Sequence, residues 1–493
     1  MKLNEIINIL TPSREPLRIT AERRESAPLG YSIDSRTLRA GELFFAIKGE
    51  VHDGHRFVPD ALSKGAVAAV VSRDFLAGKG EINRTSSQAS ESEALIAVED
   101  TLEALQLLAS RVLRAWRGRE AAITGSMGKT TTKDLAACAL ASAGRILKTT
   151  GNLNNAYGLP LSVLKMESDG ASARDFDFAV LEMGMNHKGE IAALTRIAPP
   201  DLGVVTNVSA AHLEFFDSVD EIAEAKSEMV MGVKAGGAVV LNADDARVAR
   251  MRELRSDLET RTFGILETAD VSARNISSDD LAGTRFSLVT PRGGITVSFP
   301  LAGRHNLYNA LAAAAIADYY EVPLELIAEA LAGVSRMKMR GEVVRFEEGF
   351  TIVDDSYNSN PSALIEMAAT ISASREGHRK IIVAGEMLEL GQEGPDLHRE
   401  AGRRIASLGI DMLIGVRGLA LEMIEGAREA GMNGESAIFC ETPEKAADIL
   451  ATEVRFSDLI LVKGSRGVRT EIVVERIKRE FKLRDEEANV MTG

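Results

Sequence analysis

Short apolar runs alternate with stretches of helical period along nearly the whole chain. Residues 31–36, 43–47, 66–71 and 95–98 have strand character, and residues 57–64 have helical period between two of them. A helical pattern over 101–114 leads into the apolar run 121–124, after which 133–143 is again helical. Runs at 176–181 and 202–206 end at Glu182 and Asn207, and helical period returns over 219–231 and in the alanine-rich stretch 310–319. A new series begins near Gly341, with apolar runs at 350–353, 380–384, 412–416, 437–440 and 459–462 separated by helical segments. Uninterrupted apolar runs suit strands buried on both faces, and their alternation with helices suits parallel sheets. The pattern therefore predicts an α/β protein with a small amino-terminal α/β domain, a central P-loop parallel-sheet domain and a carboxy-terminal Rossmann-like doubly wound domain. Residues 78–93, polar and rich in Ser, Gly and Glu, read as a mobile surface loop. No internal repeat or coiled-coil heptad is apparent.

Length agrees with that division. At 493 residues the chain is too long for one core and suggests about three domains. We place them at 1–100, 101–336 and 337–493. A net charge of -14 argues against nucleic acid as a partner, because such binding is driven by basic patches. An anionic ligand must then be held locally. The two cysteines, Cys138 and Cys440, lie in an apolar helix and at the end of an apolar strand, so both are expected to be buried free thiols in a reducing compartment. The amino terminus carries acid early and no run approaches a membrane-spanning length, so we expect a cytoplasmic protein with no membrane partner.

The strongest chemical signal is the stretch 121–132, in which an apolar run breaks into Gly125-Ser126-Met127-Gly128-Lys129-Thr130-Thr131 and then a helix. Backbone N–H groups of such a loop point inward, and the helix N-terminus adds partial positive charge. Gly125 and Gly128 allow close approach of an anion, Lys129 can reach outer phosphates, and the Thr130 hydroxyl can ligate Mg²⁺. The general motif wants a further glycine six positions before the lysine, where Ile123 stands.

Ligands of open α/β sheets sit at the carboxyl ends of strands, which puts Glu182, Asn207 and nearby His212 at the edge of the phosphate loop. Glu182 is the natural carboxylate for Mg²⁺, though an acid there can also cap a helix. Neutral His212 is either a metal ligand or a hydrogen-bonded histidine. Lys226 has Ile222, Ala223, Met229 and Val230 around it at helical spacing, which places it on the buried face. It must be paired, neutral, modified to a carbamate by CO₂, or drawn out to solvent. Asn152, Asn154 and Asn155 offer uncharged donors and acceptors for turns or ligand contacts. Asp34-Ser35-Arg36 and His52-Asp53-Gly54-His55 are first of all turn signals and surface pairs.

Together, Gly-Ser-Met-Gly-Lys-Thr-Thr, Gly151-Asn152-Leu153-Asn154-Asn155, Ala211-His212-Leu213, Gly303-Arg304-His305-Asn306 and Asp354-Asp355-Ser356-Tyr357-Asn358-Ser359-Asn360-Pro361 resemble the ATP-dependent muramyl ligases of peptidoglycan synthesis, over essentially the whole chain. That family's phosphate loop also lacks the first glycine. The Asp-Asp-Ser-Tyr-Asn run is the most discriminating and looks like the member that adds D-alanyl-D-alanine to UDP-N-acetylmuramoyl-tripeptide. The resemblance implies a central ATPase domain using ATP and Mg²⁺, a uridine-nucleotide domain before it and an acceptor domain after it.

It also implies roles. Gly125 to Thr131, with Lys129 and Thr130, would hold ATP phosphates and Mg²⁺. Glu182 and His212 would ligate metal, and Lys226 matches the lysine found as a carbamate. Asn306 and Asn309 resemble adenine-side positions, while Arg340 and Asp355 resemble the pair with which the last domain closes on the nucleotide. Ser35, Arg36, Asp53 and His55 match the region receiving uridine diphosphate. Asn152, Asn154, Asn155, Tyr357 and Asn358 would face substrate, and Glu386, His398 and residues 463–466 fall on the acceptor side. A monomer is expected. The alternatives are a sibling ligase adding the third amino acid, folylpolyglutamate synthase, and, from another class, a P-loop nucleotide switch. A guanine switch would show an Asn/Thr-Lys-x-Asp motif after a strand, and none is found.

Overall fold

The computed structural model describes residues 1–11, 18–49, 51–78, 94–210, 213–278, 280–335 and 338–484. Three sheets, each drawn from its own stretch of sequence, carry the architecture. The first has the order Arg18–Ile19, Ala94–Val98, Ala68–Ser72, Leu43–Phe45, Tyr31–Ser32, parallel except for its first strand. The strand expected over 31–36 stops at Ser32 because Ser32 and Asp34 turn the chain, Ser32 Oγ accepting from the Asp34 amide at 3.2 Å. Most of the polar segment 78–93 lies outside the described residues.

Strand Arg119–Thr124 lies inside the nine-stranded central sheet, flanked by Phe178–Glu182 on one side and Leu202–Val205 on the other. The chain therefore leaves this strand at the point where the order reverses, the place where open α/β sheets open a crevice. Helices Lys129–Leu140 and Arg304–Tyr319 pack together on one face over a shared apolar cluster. Alanine at 310 and at 312–315 lets the two approach closely, and all five residues are buried. The far end of this sheet differs from the parallel pattern: Val271–Ser278, Thr284–Thr290 and Gly293–Phe299 form an antiparallel ribbon.

The third sheet has the order Glu342–Arg345, Thr351–Asp355, Asp458–Lys463, Arg379–Gly385, Met412–Val416, Ala437–Cys440, parallel apart from its first strand. Separate apolar clusters cover its two faces, the doubly wound arrangement. Cys440 is buried as expected, but Cys138 is exposed, since it falls on the outer face of helix Lys129–Leu140. Among the described residues no helix is long and apolar enough to cross a membrane.

Candidate active site

Strand Arg119–Thr124 delivers the chain into the loop 125–128, and the helix begins at Lys129. Gly128 has φ +79, and a Cβ there would lie 2.1 Å from Asn309 Oδ1. At Gly125 a Cβ would fall 1.9 Å from Thr206 Oγ1. Both positions need glycine for space as well as for backbone. The neighbouring strand end grips the loop. Asn207 Oδ1 accepts from the Met127 amide at 2.9 Å, its Nδ2 donates to the Met127 carbonyl at 3.1 Å, and Thr206 Oγ1 donates to the same carbonyl at 2.7 Å. Such a pre-set loop needs little reorganisation to receive an anion.

Lys129 Nζ donates to the Gly125 carbonyl at 2.7 Å, folded across the loop. Burial lowers its pKa; Glu182 and Glu389 act against this, and Arg340 adds to it. Thr130 Oγ1 donates to Glu182 Oε2 at 2.8 Å, and Asn154 Nδ2 to Glu182 Oε1 at 2.7 Å. Glu182 is only 2% exposed at its strand end. A hydroxyl and a carboxylate are hard oxygen donors that suit Mg²⁺, which usually takes one or two carboxylates and completes its shell with water and substrate phosphates.

A cavity of about 790 Å³ opens over this loop and is closed on its far side by the last domain. Loop residues 126–131, Asn152, Asn154 and Asn155 line it, as do Asn306 and Asn309 from the first turns of helix Arg304–Tyr319. Across from them stand Arg340, Asp355, Tyr357 and Asn358. The Arg340 guanidinium lies 4.0 Å from the Tyr357 ring centroid, which fixes both side chains by a cation–π contact. Lys463 Nζ pairs with Asp355 Oδ2 at 2.5 Å and donates to the Asn358 carbonyl at 2.9 Å. Cationic groups thus face an anion site from two domains despite the negative overall charge.

Two further side chains join the cavity wall. His305 Nδ1 is buried without a hydrogen bond among the described residues, 3.8 Å from Glu366 Oε2 of helix Pro361–Ala373. Burial pushes the His305 imidazole down to about 4, so it is neutral at neutral pH. His305 stood in the Gly-Arg-His-Asn motif and could have been singled out there; nothing in the sequence pointed to Glu366.

Lys226, on helix Val219–Gly232, is 1% exposed, and among the described residues no side chain pairs with its ammonium. Its pKa is pushed well down, first by burial and then by the charge of Lys129. His212 lies outside the described residues.

Other candidates fall elsewhere. Ser35, Arg36, Asp53 and His55 do not line this cavity. Arg36 pairs with Asp34 at 2.6 Å, and Ser35 is buried with its carbonyl accepting from Lys64. His55 uses both ring nitrogens, Nδ1 with Asp53 Oδ1 at 2.7 Å and Nε2 accepting from the Ser72 amide at 2.9 Å, so it ties the 53–57 turn to strand Ala68–Ser72. On the acceptor side, His398 is fully buried, its Nε2 accepting from the Met387 amide and its Nδ1 bonded to the Gly394 carbonyl. Its ring shapes the loop after strand Arg379–Gly385 and offers nothing to a ligand.

Comparisons with known proteins match all three parts of the chain to one family. Residues 30–112 match the Mur ligase family, catalytic domain; residues 123–317 match the Mur ligase middle domain; and residues 339–466 match the Mur ligase, glutamate ligase domain. The UDP-N-acetylmuramoyl-tripeptide--D-alanyl-D-alanine ligase of Bacillus subtilis is 35% identical over 90% of this chain and 92% of its own. The enzyme of that name from Escherichia coli is 32% identical over 97% and 98%. The crystal structure of MurF from Acinetobacter baumannii superposes with a TM-score of 0.81 at 28% identity, covering 96% of this chain and 98% of that one. The MurF ligase from Thermotoga maritima, in complex with ADP, does so with 0.76 at 30%, covering 92% and 97%. Likeness of this extent, through all three sheets, means that the chain belongs to the Mur ligase family.

Proposed function

We propose that this protein is an ATP-dependent ligase that joins D-alanyl-D-alanine to UDP-N-acetylmuramoyl-tripeptide in cytoplasmic peptidoglycan precursor synthesis, acting as a monomer. The observation that carries this reading is the single cavity shared by the phosphate loop and the Asp355–Asn358 strand end of the last domain. The relatives bearing that name, matched over nine-tenths of the chain, supply the substrates. We place the domain boundaries near residues 100 and 336.

The terminal carboxylate of the tripeptide attacks the γ-phosphorus of ATP, forming a C–O–P linkage and releasing ADP. The free amine of the dipeptide then attacks the acyl carbon, an amide forms, phosphate leaves and the amine gives up a proton. Lys129 and the loop amides meet the charge that spreads over the phosphoryl oxygens. Asn306 and Asn309 hold the adenine side, and Arg340 and Asp355 reach the nucleotide from the last domain. Ser35, Arg36, Asp53 and His55 belong to the region for the uridine diphosphate end, and Asn152, Asn154, Asn155, Tyr357 and Asn358 face the reacting peptide. Thr130, Glu182 and His212 would hold Mg²⁺, and a carbamate of Lys226 would help hold a second cation; the ions would supply charge neutralisation at the phosphates. Closure of the cavity keeps water from the acyl phosphate.

The test is ADP release with ATP, Mg²⁺ and UDP-N-acetylmuramoyl-tripeptide, comparing D-alanyl-D-alanine with D-alanine, L-lysine, diaminopimelate and L-glutamate. We expect turnover with the dipeptide and a product heavier by the dipeptide less one water. Turnover with a single amino acid instead would move the substrate to a sibling ligase.

A further inference from the structure

We infer that Gly391 is a positioning residue for the reaction: its bare backbone lets the last domain dock on Leu213–Phe215, the short segment that follows His212, and so holds the acceptor side against the phosphate loop. The inference rests on the ligase reading for its consequence in turnover, though not for the contact itself.

The loop after strand Arg379–Gly385 is fastened at its base to its own domain. The Glu386 amide donates to the Val416 carbonyl at 2.9 Å, the Met387 amide to His398 Nε2 at 2.9 Å, and the Leu388 amide to Ser465 Oγ at 3.0 Å. Its tip reaches the other domain. The Glu389 carbonyl accepts from the Glu214 amide at 3.1 Å. At Gly391 a Cβ would lie 2.9 Å from Glu214 Cα, 3.2 Å from Glu214 N and 3.2 Å from the Leu213 carbonyl oxygen. All three are backbone atoms of the central domain, so no side chain can swing aside to make room.

Backbone conformation at the tip agrees with a contact that must be maintained. Glu389 adopts φ +64 and Gly391 φ +57. A non-glycine residue there is strained, and a free surface turn would shed that strain by relaxing. One loop therefore meets the segment that follows His212 at two points.

The alternative is a turn in which glycine serves only its own φ. Gly409 provides the control: it has φ +72 in the same domain, with nothing within 4 Å of a Cβ. Gly391→Ala and Gly409→Ala thus carry a similar backbone penalty, and only the first disturbs the contact. We expect Gly391→Ala to lose about tenfold or more in kcat/KM for the dipeptide while its Kd for ADP stays within about twofold of the parent. Gly409→Ala should keep parental turnover. Equal losses in the two variants, or parental turnover in Gly391→Ala, would overturn the inference.

Hydrogen exchange at the Glu214 amide, followed in the parent protein with and without a non-hydrolysable ATP analogue, gives a readout independent of turnover and of how Gly391→Ala folds. Docking requires the Glu214 amide to exchange slowly whether or not the nucleotide is bound; rapid exchange in both states would sink it. Absence of ligation by the parent would count against the ligase reading alone, because the exchange measurement needs no peptide substrate.

Discussion

Two buried side chains show how strongly a single residue can be constrained here. Lys226 is buried near Lys129 without a partner among the described residues, and a buried ammonium facing a second positive charge cannot stay charged cheaply. Reaction of the neutral Nζ with CO₂ forms an N–C bond, releases one proton and leaves a carboxylate-like group where a cation would be welcome. After incubation with ¹³C-bicarbonate, the parent should show a carbamate carbon signal that Lys226→Ala lacks. That variant should lose activity by about 10–100-fold and regain part of it with added short carboxylic acids. Full activity without rescue would rule the carbamate out.

Glu120 lies at the opposite end of the same central strand. It is buried, its Oε1 has no hydrogen-bond partner among the described residues, and burial, aided by the charge of Asp201 and opposed by Lys234, pushes its carboxyl up to about 8. The folded protein therefore keeps a proton that the unfolded chain has lost. Between the ordinary value of 4.5 and about 8, rising pH must lower stability, with no contribution to the slope on either side of that window. Glu120→Gln should flatten this dependence and raise the melting temperature at pH 8, by about 2–4 °C for each kcal/mol relieved. Parallel pH profiles for parent and variant would mean that Glu120 is solvated.

At the scale of elements, what the sequence made legible depended on how each element is buried. Strands such as Leu202–Val205 and Asp458–Lys463 are buried at every position and read as apolar runs. The ribbon Val271–Ser278, Thr284–Thr290, Gly293–Phe299 turns one face to solvent, and its half-polar alternation was passed over for that reason. The phosphate loop was readable because its glycines, lysine and threonine are contiguous. Its clamp was readable in part: the strand-end position put Asn207 beside the loop, but did not show that Asn207 and Thr206 act together through the Met127 backbone. His305 with Glu366, and Gly391 with Glu214, depend still more on tertiary placement: each pair joins two domains, and spacing along the chain carries no trace of it. Cys138 shows the reverse error, an apolar neighbourhood in sequence that becomes an outward helix face in space.

For the molecule as a whole, the last domain is held at a second place far from the Gly391 contact. The turn Asp280–Ala282 projects from the antiparallel ribbon of the central domain, and Leu281, 3% exposed, belongs to the apolar core on one face of the last domain. Asp280 supports this insertion: it accepts from the Ser374 hydroxyl and from the amides of Arg375 at 2.7 Å and Glu376 at 3.2 Å, just beyond helix Pro361–Ala373. A plug of this kind resists sliding of the last domain over the ribbon. Leu281→Ala should cost about 2–5 kcal/mol of apolar packing, and the loss falls on the coupling between domains because the side chain lies in a core that is not its own. Calorimetry should then show the last domain unfolding as a separate transition below that of the central domain. ADP affinity should fall only by the share that Arg340 and Asp355 contribute, since the phosphate loop and its clamp lie in the central domain, whereas turnover should fall further as the reacting groups lose their common frame. A single transition at the parental temperature would show that the docked loop and the connecting chain suffice to hold the domains, and would leave Leu281 a local packing residue.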